Sequence, residues 1–328
     1  MEVRMRAVVV DRWMEPAELE LREVPEPETR PGTLKLEVRA AGCNFFDILM
    51  VQGRYQVKPP FPFVPGAEVA GVVREVGAGV RGFAPGDRVF ATAGLGGFAE
   101  LALAPAAAAY RLPDGMSFAE GAGFPIVYPT SYAGLVFRAA LQPGEDLLVH
   151  AAAGGVGIAA VQIGKALGAR VIATAGGAEK LEIARREGAD ELIDYQKEDF
   201  VARVLELTGG KGADVIYDSV GGEVFEKSLK CIAWNGRLLV IGFASGTIPS
   251  VSANRILLKN IAVTGLHWGA HTTKEPAKIP RTFEALFELQ RAGRIRPVVF
   301  RSYPLDQVPA ALEALGSRKT FGKVVVAP

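Results

Sequence analysis

The chain has 328 residues, a length that suggests about two domains, and its 37 basic groups nearly balance 36 acidic ones. Apolar residues make up 49% and charged residues 22%, the composition of a soluble globular protein with no global field to attract nucleic acid or an anionic membrane. Its two cysteines, Cys43 and Cys231, lie far apart without a C-x-x-C, which leaves no disulfide framework and no cysteine-rich zinc site.

The N-terminal MEVRMRAVVVDRW has an apolar core of only AVVV, too short for a secretory segment, and no apolar run reaches membrane-spanning length. The expectation is a cytoplasmic protein. From Met5 to Pro125, β-branched runs such as TLKLEVRAAG, GAEVAGVVREVGAGV and PGDRVFA alternate with Gly and Pro, which reads as a mostly β unit. Within it, FFDILM reads helical after Asn44, a favoured N-cap residue. From Pro143 to Leu266 the rhythm becomes strand and helix in alternation. Strands are expected at 146–151, 170–175, 191–195, 213–218, 236–242 and 260–266, enough for a doubly wound parallel sheet. Beyond Trp268 the alternation is lost. Helices at 281–292 and 307–315 precede a last apolar strand, GKVVVAP, and this tail is too short to fold alone.

The stretch DLLVHAAAGGVGIAAVQIGKALGARVIAT is a strand, a glycine turn, a helix and a strand, the arrangement of a dinucleotide-binding unit. Gly154 and Gly155 let backbone approach a pyrophosphate, Gly157 lets the helix pack on the strand, and the helix start around Val156 offers free N–H groups. Ala152 stands where the first glycine of G-x-G-x-x-G is usual. At the end of the second strand, where NAD-selective folds carry an acid for the ribose 2′-hydroxyl, this chain has Ala175, Gly176 and Gly177. With no carboxylate to repel a 2′-phosphate, and with Lys180 and Tyr195 in reach, NADPH is preferred over NADH.

These segments resemble the medium-chain dehydrogenase/reductase superfamily, and within it the zinc-free NADPH:quinone oxidoreductases. AAGCNFFDILMVQGRY, PFVPGAEVAGVVREVG, HAAAGGVG, VIYDSVGG, IAWNGRLLVIGFASG, ILLKNIAVTGLHWG and RKTFGKVVV carry the likeness over essentially the whole chain. The resemblance implies an α/β protein with three stretches. They are a GroES-like β-rich catalytic domain at 1–126, a Rossmann NADPH-binding domain at 127–266, and a C-terminal segment at 267–328 returning to the catalytic domain. It also implies a cleft where nicotinamide meets substrate. Zinc alcohol dehydrogenases of the superfamily place a cysteine ligand where Asn44 stands and a histidine where Ala67 stands. Glu68 alone cannot hold the ion, so no metal is expected.

By the same resemblance, Asn44 and Tyr55 are the candidate catalytic residues. Asn44 holds the nicotinamide ribose while also capping its helix, and Asp47 is a structural acceptor or cofactor contact. Thr130 or Tyr132, Phe243 and Ala244 line the cofactor. The loop GLHWGAH supplies Leu266 and His267 to the carboxamide and Trp268 as a flat wall. The implied reaction is hydride transfer from NADPH to a quinone, with a donor to the oxygen that gains charge. The alternatives are reduction of an enone, enal or 2-enoyl thioester, and a non-enzymatic, crystallin-like NADPH-binding role. The apolar stretch Asn254 to Gly265 ends the sheet at an edge, and an unpaired apolar edge invites a second copy, so a homodimer is expected.

Overall fold

Apolar residues at every second position give a strand a buried face, and Leu34, Leu36 and Val38 lie buried at that spacing. The computed structural model describes residues 3–328, so Met1 and Glu2 of the N-terminal segment lie outside the described residues. The chain divides into two units, one of residues 1–126 with 297–328 and the other of Val127–Arg296. In the first, β1 (Arg4–Val9) pairs antiparallel with β2 (Glu20–Pro25). The larger sheet is built from β3 (Thr33–Gly42), β4 (Glu68–Val76), β5 (Arg88–Thr92), β6 (Leu101–Pro105) and β7 (Ala109–Arg111). Its core gathers Leu34, Leu36, Val69, Val89 and Phe98. Strands β3 and β4 approach so closely that a side chain at Gly71 would lie 2.0 Å from the Glu37 carbonyl oxygen. Glycine there is a packing requirement.

The second unit is a six-stranded parallel sheet: β8 (Asp146–Val149), β9 (Arg170–Ala175), β10 (Glu191–Asp194), β11 (Ala213–Asp218), β12 (Ile232–Val240) and β13 (Ala262–Gly265). Their order is β10-β9-β8-β11-β12-β13. Leu147, Leu148, Val149, Val171, Ile172, Val215 and Ile216 are all fully buried, as continuous apolar strands covered on both faces must be. The strands fall where the sequence places them, with β12 starting earlier. Of the apolar stretch Asn254 to Gly265, only the last part is strand. Ala253–Lys259 is helical and ends at Asn260, whose φ of 52° is the left-handed conformation that stops a helix.

Residues 267–296 group with the second unit, where the sequence reading had placed them with the returning tail. The reason is the helix Lys278–Arg291, which buries Thr282, Phe283 and Leu286 and packs on the helix Val127–Tyr132 of the same unit. The return begins at Pro297. There β14 (Val299–Pro304), the helix Val308–Gly316 and β15 (Lys323–Ala327) rejoin the first unit. β15 pairs antiparallel with β3, through Val325 opposite Gly42 and Val326 opposite Ala41. The completed sheet runs β14-β15-β3-β4-β5-β7, with β6 also on β3. Among the described residues, no helix is long and apolar enough to cross a membrane.

Candidate functional site

The strand order of the second unit reverses between β8 and β11, and an open parallel sheet binds ligands outside the carboxyl ends of its strands at such a point. The glycine turn lies there. Ala151 takes the left-handed conformation at φ 49°, the Gly154 N–H donates to its carbonyl at 2.8 Å, and the helix Gly155–Ala166 begins. A side chain on Gly157 would sit 2.2 Å from the Ala151 oxygen and 2.8 Å from the Ala152 Cα, so only glycine lets this helix lie against the turn. The N–H groups of Gly155 and Val156 belong to the first helical turn and have no intrahelical acceptor. A helix start with such free N–H groups is where the sequence leads one to expect an anion.

Beneath the turn lies a network that the sequence did not reveal. His150 is buried, its Nδ1 3.0 Å from the Thr174 hydroxyl and its Nε2 2.8 Å from that of Ser228. Ser228 donates its own hydrogen to the Val224 carbonyl at 2.7 Å, so it accepts from His150 Nε2–H. Nδ1 therefore accepts from Thr174, and both ring nitrogens are satisfied in the neutral form. Burial pushes the imidazole down to about 3.

At the end of β9, a side chain on Gly176 would meet the Tyr195 hydroxyl at 2.7 Å and the Gln196 amide nitrogen at 2.9 Å. Glycine thus lets Tyr195 and Gln196 lie across the strand end. Gly177, at φ 89°, turns the chain into the helix Ala178–Arg186 that carries the half-buried Lys180, whose ammonium burial pushes down. Asp194 braces this corner, its Oδ1 accepting from Gly177 N–H at 3.2 Å and Gln196 N–H at 3.1 Å. Asp194 and Gln196 were not singled out from the sequence. An Asp-Tyr-Gln strand end beside a Gly-Gly turn is the signal that could have found them.

Of the remaining candidates in this unit, Phe243, Ala244, Leu266, His267 and Trp268 lie just past the carboxyl ends of β12 and β13, near the end of β11, whose Asp218 was not singled out from the sequence. The Asp218 carboxyl at the end of β11 accepts from Val220 and Gly221 N–H through Oδ1, and burial holds its pKa above the usual range. Phe243 and Ala244 follow β12. The Phe243 ring passes 2.9 Å from where a Gly221 side chain would begin, and Ala244 N–H donates to Ser219 at 3.1 Å. Leu266 N–H donates to the Val240 carbonyl at 3.1 Å, which carries His267 and Trp268 past the end of β13. The stretch after them is less loop-like than expected. Trp268–Ala270 is a 3-10 turn leading into the helix His271–Lys274, and the Trp268 ring stacks on His271 at 5.1 Å. Thr130 is half-buried on the helix Val127–Tyr132, next to Ser131, whose hydroxyl donates to the Val156 carbonyl at 3.0 Å.

In the first unit, Asn44 caps the helix Phe45–Val51, and Asp47 Oδ2 accepts from Asn44 N–H at 2.7 Å. Burial pushes the Asp47 carboxyl up to about 7, and its Oδ1 has no partner among the described residues. Asn44 Nδ2 donates to Glu68 Oε1 at 2.7 Å. Into the same cluster, from the far end of the chain, comes Lys323, whose Nζ is 2.6 Å from Glu68 Oε1. Tyr55 is half-buried and stands apart from these bonds, its ring 5.5 Å from that of Phe46, with the phenol pushed up by burial and then by Asp47. Lys323 was missed by sequence reading. One charge at the head of the apolar strand KVVVA, in a chain with Glu68 amid PGAEVAG, is the signal, because a buried carboxylate demands a cation.

These donors do not fit a zinc ion. Cys43 is buried with its thiol pushed up by desolvation, position 67 is Ala, and Glu68 and Asn44 are already joined to an ammonium. Among the described residues, no group of three or more His, Cys, Asp or Glu side chains could hold a metal.

Two family models match the chain, the alcohol dehydrogenase GroES-like domain over residues 30–114 and the zinc-binding dehydrogenase over residues 155–287. A quinone oxidoreductase-like protein 2 homolog of Nematostella vectensis is 44% identical over 89% of this chain and 81% of its own length. A quinone oxidoreductase of Pseudomonas aeruginosa is 38% identical over 95% of this chain and 96% of its own. Among solved structures, Escherichia coli quinone oxidoreductase complexed with NADPH superposes with a TM-score of 0.90 at 33% identity, covering 98% of this chain and all of that one.

The depressed pKa of His150 gives a pH dependence whose sign is fixed. The unfolded imidazole takes up a proton near pH 6.5, whereas the folded one does so only near 3, so stability is intact above 6.5 and declines as the pH falls toward 3. Urea unfolding between pH 5.5 and pH 4.5, where the unfolded imidazole is almost fully protonated, should show the parent losing about 1.4 kcal/mol per pH unit more than His150→Gln. Equal slopes in the two proteins would refute the buried neutral ring.

Proposed function

Because the chain belongs to the quinone oxidoreductase family of medium-chain dehydrogenase/reductases, we propose that it is a zinc-independent oxidoreductase that transfers hydride from NADPH to a quinone in the cytoplasm. The bound cofactor would supply the hydride and be left oxidised, and that hydride with one proton would convert the quinone to its hydroquinone. The observation that carries this reading is the glycine turn at the reversal of strand order, with Gly157 pressed on Ala151 and free N–H groups at the helix start.

In this reading, Gly154, Gly155, Val156 and Gly157 hold the pyrophosphate, and Gly176, Lys180 and Tyr195 hold the 2′-phosphate. Thr130, Phe243, Ala244, Leu266, His267 and Trp268 serve the nicotinamide half. Asn44 contacts its ribose, Asp47 fixes the Asn44 backbone, and Tyr55 is the donor for the acceptor oxygen. The preference for NADPH is supported by the absence of an acid after β9, where Ala175, Gly176 and Gly177 stand. Asp194, on the neighbouring strand, spends Oδ1 on backbone N–H groups.

An acceptor panel with NADPH, followed by loss of nicotinamide absorbance, tests the reaction. Turnover is expected with small benzoquinones and naphthoquinones. Turnover with enones, enals or enoyl thioesters alone would replace the quinone by a conjugated carbonyl, and tight NADPH binding without any turnover would leave a binding role. Lys180→Ala should raise KM for NADPH by about tenfold to a hundredfold, the worth of a hydrogen bond to a charged group, while KM for NADH stays within a factor of two. Equal changes for both cofactors would remove Lys180 from the phosphate.

We also propose a homodimer that pairs the β13 edges of two copies. Leu257 and Leu258, 77% and 71% exposed on the helix leading into that strand, support it as apolar surface beside an open edge. Light scattering at micromolar concentration should give about twice the 34.8 kDa chain mass, falling to one chain for Leu257→Asp with Leu258→Asp. A parent that is monomeric there would exclude the dimer.

A further inference from the structure

The Lys323 ammonium has three hydrogens and three acceptors: Glu68 Oε1 at 2.6 Å, Asn44 Oδ1 at 2.7 Å and the Cys43 carbonyl at 2.8 Å. Its side chain is 5% exposed and that of Glu68 is fully buried. The fold makes room for both. A side chain on Gly123 would meet the Lys323 Cγ at 3.0 Å, and one on Gly42 would meet Glu68 Oε1 at 2.5 Å. Glu68 Oε2 accepts from Ile126 N–H at 3.2 Å, which fixes the carboxylate in turn.

We infer that Lys323 is a positioning residue that locks the Asn44 carboxamide in one orientation and so aims its remaining N–H. The two charged neighbours of that carboxamide leave it no choice, and they act together with the capping contact that its side chain takes from the Asp47 backbone N–H. The ammonium demands the amide oxygen and the carboxylate demands the amide nitrogen, and the flipped amide would set NH₂ against NH₃⁺ and C=O against COO⁻. One Nδ2 hydrogen goes to Glu68. The other has no acceptor among the described residues, and its direction is set by two charged groups that cannot themselves rotate away. A donor held in this way costs no reorganisation when a ligand oxygen arrives. Stabilisation alone does not explain the arrangement, since a buried ion pair is often no better than apolar side chains of the same volume. The inference rests on the proposal that Asn44 contacts the cofactor.

Lys323→Met alone strands a buried carboxylate, so the working variant is Glu68→Gln with Lys323→Met, which removes both charges and keeps an acceptor for Asn44. The parent, this pair, Asn44→Ala and the triple variant are compared for kcat and KM with NADPH and para-benzoquinone. The pair should lower kcat/KM by about tenfold or more, and adding Asn44→Ala should change it by less than about twofold, because Lys323 acts through Asn44. Effects that multiply, or a pair with parental kcat/KM, would overturn the inference. The Asn44 side-chain amide gives a second readout in nitrogen-proton NMR, assigned by its loss in Asn44→Ala. The parent should show two resolved hydrogens, one protected from exchange, and the pair should show that protection weakened as the amide flips between two orientations. An unchanged spectrum would overturn the inference. If the parent reduces no quinone, the proposed reaction fails, and the spectrum still decides whether Lys323 fixes the amide.

Discussion

A carboxylate sealed inside a β unit is the constraint on which the first half of the molecule turns. Glu68 is fully buried on β4, and an unpaired charge there would cost several kcal/mol. The chain answers from 255 residues away, with a lysine at the start of β15. That pairing explains why the last strand must return to β3 when most of the intervening chain builds another unit. It explains two glycines as well, since Gly42 and Gly123 are empty where the carboxylate and the lysine stem pass. The apolar strands would form a sheet without this pair. With it, the register of β15 against β3 is tied to a single buried contact.

The second unit meets the same demand without charge. Beneath its glycine turn, His150, Thr174 and Ser228 close their donors and acceptors on one another with the ring neutral. An apolar residue at 150 would leave two buried hydroxyls to find other partners. A charged one would need an acid that is not there. The neutral imidazole serves both ends.

How much of this could be read beforehand depended on whether the signal was local. The strand, glycine turn and helix at 146–166 were legible because each part is specified by its own residues: a short apolar run, Gly157 and helical periodicity. The parallel strands were legible for the same reason. The assignment of residues 267–296 was not, because the amphipathic helix Lys278–Arg291 shows the same pattern whichever unit covers its apolar face. The helix Ala253–Lys259 was hidden within an apolar stretch that also suits an edge strand. Asn44 was legible as a cap and a candidate donor, but not its lysine. Lysines are rarely buried, and nothing near residue 323 in the sequence points to residue 44.

The sealed ammonium also bears on which acceptors the proposed chemistry suits. A catalytic zinc ion polarises a substrate oxygen directly, which is what an isolated alkoxide, a base about as strong as hydroxide, requires. The Lys323 ammonium spends all three hydrogens on the protein and has none left for a substrate. Negative charge that develops on an acceptor oxygen must then be met by neutral donors, an amide N–H or a phenol. Neutral donors suffice where the acceptor itself spreads the charge, as an aromatic ring does for a phenolate with a pKa of about 10. A quinone taking up hydride becomes such an anion, and a conjugated enone becomes an enolate. A simple ketone does neither. On the proposed function, conjugated acceptors are the ones that neutral donors serve most readily.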